Sequence, residues 1–396
     1  MNILAILFSV GIPALFLLII YSLDLYASRS FQLVLLCTAW GAIGAYAIAL
    51  FLNSRVGIPL MVSFGVPRAM LVAAISVYFA PIVEELAKAL SLVYISRRSE
   101  FTYFVDGAIY GFAAGIGFSI RENFLYINQN LDQAVLLALL RAFSTCLMHG
   151  AAAGLVGAAV GRFRFQQRRS GRGLGVIGGL VAAMLLHALF NRFAGELPVV
   201  GIVFGLLGVI GIGMVIGKGL REQRAWLSET LGRQVGVTAA EVRAAQAYGG
   251  LDDLLRPIIS QFPKKAEEIE NLLLCQAQLG IKRKVQERIE TPKLRAQLDA
   301  EVEELQQRME RLRGEVGPYI MTYLRGVFPE GAFDLWARLE LVAAQTGPAD
   351  LQRWMQMANL IETRSTEPPK QDLFARLQAV QAEREQPTAP KDEGQA

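Results

Sequence analysis

The sequence predicts an all-α protein: a polytopic bundle of about seven transmembrane helices over residues 1–217, then a soluble, mostly helical C-terminal domain. Three observations carry this. Seven apolar runs reach the roughly 20 residues needed to cross hydrocarbon at about 1.5 Å per residue. Charge is divided sharply: residues 1–217 hold 8 Asp/Glu and 14 Lys/Arg, and residues 218–396 hold the other 27 acidic and 25 basic groups. The basic groups of the first part gather beside the ends of apolar runs, as the positive-inside rule requires.

The runs span approximately 2–21, 32–52, 69–95, 104–127, 134–161, 174–191 and 198–217. The first two carry no charge and read as bundle wall. The first follows Met1 without a basic leader or an Ala-x-Ala cleavage site, so it reads as a span rather than a removed signal peptide. Arg97 and Arg98 follow the third run. Arg162, Arg164, Arg168, Arg169 and Arg172 fill the loop after the fifth, and Lys218, Arg221 and Arg224 follow the seventh. Alternation puts these groups on one side, the cytoplasmic one, giving an N-out, C-in arrangement in the plasma membrane. The net charge of +4 needs no nucleic-acid partner, because the basic excess is topological. Cys37, Cys146 and Cys275 occur singly and suggest neither a disulfide framework nor a cysteine metal knuckle.

Beyond residue 217, Gly249-Gly250, Pro257 and Pro263 mark breaks and residues 264–288 read as a charged helix. Thr291-Pro292 opens another, with proline in the tolerated first turn. Leu298, Val302, Leu305, Met309, Leu312 and Val316 then alternate spacings of four and three, a short heptad seam near 294–316. It serves either a helical hairpin or a coiled-coil contact that makes a homo- or hetero-oligomer. Residues 319–366, with Phe328, Trp336 and Trp354, read as folded and helical, placing the domain at 218–366. Residues 367–396 are polar and proline-containing and read as disordered.

Three ionisable residues stand inside the third run. Glu84, Glu85 and Lys88 are costly in hydrocarbon unless enclosed or given water. Glu84 and Lys88, four apart, can pair on one helix face, leaving Glu85 about 100° away to address something else. The only two histidines, His149 and His187, lie inside later runs. Glu84 lies 13 residues before Arg97, His149 lies 13 before Arg162, and His187 lies 15 beyond Arg172. Each is thus about 20 Å from the cytoplasmic flank, so three helices bring these side chains to one level. Glu122, 16 residues beyond Asp106, lies nearer the outer face unless its helix kinks or starts late. Asp106 itself reads as a cap or loop anchor. Asn191, four residues after His187, can orient the imidazole or donate to an oxyanion. Gly107, Gly111 and Gly115, like Gly150 and Gly154, recur every four residues and allow close helix approach. Pro81 frees a carbonyl and bends the third helix just before Glu84.

These blocks carry a resemblance. Ala80-Pro81 with Glu84-Glu85-Leu86-Ala87-Lys88, Asp106-Gly107-Ala108-Ile109-Tyr110-Gly111, Gly115-Ile116-Gly117-Phe118-Ser119-Ile120-Arg121-Glu122-Asn123, His149-Gly150 and His187-Ala188-Leu189-Phe190-Asn191 look like the PrsW family of intramembrane proteases. That family is distantly similar to the prenyl-protein (CAAX) endopeptidases. The resemblance covers about residues 70–192. It implies cleavage of a membrane-protein substrate in or beside the lipid bilayer, as when an anti-sigma factor is cut.

Two mechanisms follow. In one, zinc is held by His149, His187 and a carboxylate from Glu84 or Glu122, and a remaining glutamate is the general base. In the other, no cofactor is needed: Glu84 or Glu85, with His149, activates water, while His187 and Asn191 stabilise the oxyanion. The residues alone favour the second, which needs no coordination across three helices. Ser119 and Ser144 lack a nucleophile elbow. A transporter or channel would also keep buried Glu, Lys and His, but no internal repeat supports one. A non-catalytic scaffold would need those groups only for stability.

Overall fold

The computed structural model describes residues 2–23, 26, 30–164, 169–194, 197–231, 237–247, 256–289 and 292–327. Among these there are helices and no strands. Six helices are long and apolar enough to cross a membrane: α1 (Ile3–Ser22), α2 (Phe31–Ser63), α3 (Arg68–Ile95), the stretch Leu131–Phe163, one over Gly173–Phe193, and one over Pro198–Leu227. Between α3 and that fourth stretch runs α4 (Phe104–Gln129). It holds Asp106, Arg121 and Glu122 and is less apolar, yet it is buried without interruption from Phe104 through Ser119. The least lipid-like helix is therefore the one the others enclose.

Ser144 divides the fourth stretch into α5 (Ala134–Phe143) and α6 (Thr145–Phe163). Next come α7 (Arg169–Phe193) and α8 (Pro198–Thr230). α8 runs unbroken through the expected boundary at 217. Leucines, valines and isoleucines of α1, α7 and α8 face outward, among them Leu7, Leu18, Leu185, Val203 and Ile210, as a lipid-facing wall requires.

Lipid offers no hydrophobic drive for one helix to join another, so association rests on close packing. The glycine stripe supplies it. Gly107, Gly111 and Gly115 of α4 lie against the backbone of Gly157, Ala153 and His149 of α6, leaving no room for a Cβ. Gly117 meets Thr38 of α2 in the same way.

The N-terminal half of α3 is irregular. A π-turn occupies Ile75–Phe79, and the regular helix restarts at Ala80–Ile95 with Pro81 in its first turn. The amide of Ala80 bonds back to Ile75, and Pro81 has no N–H. The Ser76 carbonyl therefore loses its helical donors, as the proline foretells. At the start of α4, Asp106 caps the helix, accepting from the amides of Thr102 at 2.8 Å and Tyr103 at 3.0 Å.

The bundle has two distinct ends. Ala5 packs with Ile127, Ala134 and Ala138. The opposite end holds Tyr26 and Ser99, whose carbonyls accept from Gln278 at 3.1 Å and Lys282 at 3.0 Å. Those residues belong to the C-terminal helices: α9 (Ala239–Ala247), α10 (Arg256–Gln261), α11 (Ala266–Arg288), α12 (Pro292–Val316) and α13 (Pro318–Val327). Helices α11 and α12 form a hairpin. Val302, Met309, Leu312 and Val316 of the seam are buried in the core that contains Ile269, Leu272 and Leu279 of α11. The seam is thus used within the chain, and of its two readings the hairpin is the one observed. Residues 328–396, with Phe328, Trp336, Trp354 and the polar tail, lie outside the described residues.

Candidate active site

Four helices bring the polar side chains together. α3 brings Glu84, Glu85 and Lys88, α4 brings Glu122, α6 brings His149, and α7 brings His187 and Asn191. Glu85, Lys88, His149 and His187 are at most 2% exposed. Their contacts run in a chain. Lys88 Nζ donates to Glu85 Oε1 at 2.7 Å and lies 2.8 Å from His149 Nδ1. Glu85 Oε1 is also 2.9 Å from His187 Nδ1. The two imidazoles stand edge to face, with centroids 4.6 Å apart. On the far side, His149 Nε2 is 3.3 Å from Glu122 Oε2, and His187 Nε2 is 3.8 Å from Glu84 Oε2.

The expected pairing of Glu84 with Lys88 is therefore corrected: the lysine pairs with Glu85, three residues before it. Both point toward the histidines, and Glu84 turns to a cavity of about 570 Å³. Glu122, His149 and Asn191 line the same cavity. Glu122 reaches His149 although α4 starts at Phe104 and continues to Gln129, so no late start or break is needed. A salt bridge from Arg141 at 2.8 Å neutralises Glu122, and Arg121 lies over the Tyr46 ring. Asn191 does not orient the imidazole. Its amide donates to the orphaned Ser76 carbonyl at 2.8 Å, and Glu85 holds His187 instead.

A carboxylate only accepts and an ammonium only donates. Donation from His187 Nδ1 to a Glu85 carboxylate leaves Nε2 facing Glu84. His149 faces Lys88 with Nδ1 and Glu122 with Nε2. Three carboxylates and two cations, Lys88 and Arg141, meet here. Oε2 of Glu84 has no hydrogen-bond partner. A buried carboxylate oxygen without a partner is expensive, and a proton or a metal cation at this point would meet the need.

Residues 29–216 match the family model described as PrsW family intramembrane metalloprotease. Over those residues the chain is similar to the PrsW family. PrsW is an intramembrane peptidase family, and the segment is accordingly read as a multi-pass intramembrane protease whose catalytic type is metallo in the family's name. No curated protein and no solved structure matches the chain.

The donor set fits the metal that the PrsW name implies. Glu84, His149 and His187 each offer an atom within 4.8 Å of the other two. The objection that coordination would have to span three helices loses its force, because three helices deliver those atoms. Arg141 was missed from the sequence, although it is the one cation within the run 134–161. That isolation was the available signal.

Proposed function

We propose that this chain is a metal-dependent intramembrane protease that hydrolyses a peptide bond of a membrane-protein substrate in the cavity bounded by α2 to α8. Glu84, His149 and His187 would hold the divalent ion, zinc being the foremost candidate for an imidazole and carboxylate set. Bound there, the ion would polarise the scissile carbonyl and acidify water. The observation that carries this reading is the convergence of those three donors, one of them an orphaned buried carboxylate oxygen, beside a cavity of about 570 Å³ that Glu84 and His149 line.

The chain's own groups divide the remaining work. Glu122, the other carboxylate lining the cavity, accepts the proton of the attacking water and returns it to the leaving nitrogen. Glu85 orients His187 through Nδ1, a carboxylate–histidine support typical of metal-binding imidazoles. Lys88 holds the His149 ring through its Nδ1, at 2.8 Å. Asn191 has two amide protons; one holds Ser76 and the other is offered to the substrate carbonyl. The C-terminal helices belong on the cytoplasmic side, where Arg97, Arg98, Arg162 and Arg164 would follow the positive-inside rule. Within membrane proteins, an anti-sigma-factor-like regulator with a single span is the substrate class that the family suggests.

The test is cleavage in vesicles of phosphatidylethanolamine and phosphatidylglycerol. The purified protein is co-reconstituted with a panel of single-span membrane proteins, and fragments are read by mass spectrometry. Fragments produced by the native chain should vanish in Glu84→Gln, His149→Ala and His187→Ala variants that keep the native melting profile. Cleavage at the native rate by any of the three would overturn the assignment.

A further inference from the structure

The geometry points to Arg141 as a positioning residue that fixes the reacting oxygen of Glu122. The inference rests on the reading of Glu122 as proton acceptor. Helix α5 reads AVLLALLRAF, so a single guanidinium stands in an otherwise apolar segment, where charge is retained only with a partner. It lies in the last turn, where the helix's carbonyl end favours a cation. Ser144 then breaks the helix, and Arg141 and Ser144 both line the cavity.

Its donors are divided between consecutive residues of α4. Nη2 donates to Glu122 Oε2 at 2.8 Å and Nε to Asn123 Oδ1 at 2.8 Å. The guanidinium plane sits 4.0 Å from the centre of the Tyr126 ring. Asn123 is thereby oriented, and its amide donates to Cys146 Sγ at 3.0 Å, which Ser119 also reaches at 3.0 Å. Cys146 lies three residues before His149 on α6. One side chain of α5 therefore locks the facing turns of α4 and α6. The Glu122 oxygen that Arg141 grips is the one 3.3 Å from His149 Nε2. A neutral salt bridge placed for stability alone would not need to select that oxygen. Lysine cannot substitute, because a point charge does not present two donors in a fixed fork.

The experiment measures kcat and KM separately in the same vesicles and substrate panel for native protein, Glu122→Gln, Arg141→Ala, Arg141→Lys and the double variant Glu122→Gln/Arg141→Ala. Arg141→Ala should lower kcat about 10- to 100-fold, the usual loss when an orienting partner is removed, with KM little changed. Arg141→Lys should keep the native melting profile but not the rate. Added guanidinium should restore part of the rate to Arg141→Ala and none to Glu122→Gln, and the double variant should be no slower than Glu122→Gln alone. A native rate in Glu122→Gln would refute Glu122 as proton acceptor and the Arg141 role with it. A lost rate in Glu122→Gln with a native kcat in Arg141→Ala would refute the positioning role alone. Should Arg141→Ala not fold, a native kcat in Arg141→Lys overturns the proposal equally.

Discussion

Replacing Gly115 by alanine adds one methyl group at the contact that sets the spacing of the acidic and histidine helices. A Cβ there would lie 2.5 Å from the carbonyl carbon of His149 and 2.8 Å from Cα of Gly150, where ordinary contact begins near 3.4 Å. Both obstacles are backbone, so no side chain can swing away, and α6 must retreat by about 1 Å, since close-packed interiors hold no spare volume. Overpacking of this kind costs about 1–3 kcal/mol. The larger effect is on chemistry. His149 is the residue displaced, and its 3.3 Å contact with Glu122 would stretch beyond hydrogen-bond range. A misplacement of about 1 Å can cost about 10²-fold in rate. Gly213→Ala is the control, because nothing lies within 4 Å of a Cβ at that site. In a helix it should stabilise slightly, by about 0.5–1 kcal/mol. Cleavage rates and melting curves of both variants in vesicles decide the matter. A native rate in Gly115→Ala, or equal losses in the two, would refute the spacing argument.

Other outcomes follow from single contacts. Asn191→Ala leaves the Ser76 carbonyl without its donor and should cost about 1–3 kcal/mol, read as a lowered melting temperature; an unchanged melt would show that this bond contributes nothing. A membrane-permeant chelator should abolish cleavage, and elemental analysis should find less zinc in Glu84→Gln than in native protein; full cleavage after chelation would restore the metal-free mechanism. Burial raises the Cys275 thiol above its ordinary value of 9.0. Its contribution to stability is therefore present below that value and lost as pH rises through the raised one. Alkylation of Cys275 in the native chain should lag behind a free cysteine at every pH up to that range, and equal rates would show that α11 does not shield it. Lys282→Met removes the donors to Ser99 and Glu301 and should expose the α11–α12 hairpin to limited proteolysis before the membrane helices.

Much of this was legible because hydrocarbon is an unforgiving solvent. A glutamate pair, a lysine and two histidines inside apolar runs had to be enclosed, and counting residues from the basic flanks placed Glu84, His149 and His187 at one depth. The stripe of Gly107, Gly111 and Gly115 announced its close neighbour, and Pro81 announced the break beside Ser76. What could not be read was rotation about each helix axis. Spacing permits Lys88 to meet either glutamate, and packing against α6 and α7 selects Glu85. Asn191 shares a face with His187, yet a carbonyl on α3 claims it. Arg141 depends on the break at Ser144, which no proline or glycine marks. The heptad seam showed that α12 has a partner but not that the partner is α11 of the same chain.

At about 1.5 Å per residue, the 33 residues of α8 measure about 50 Å, against a hydrocarbon thickness of about 30 Å. The surplus carries Leu227 into the core of the C-terminal helices, and Lys282 of that assembly grips the loop at Ser99. That loop is the shared root of α3 and α4. The hairpin is therefore moored to the joint from which both acidic arms spring, as a handle is riveted where two blades meet.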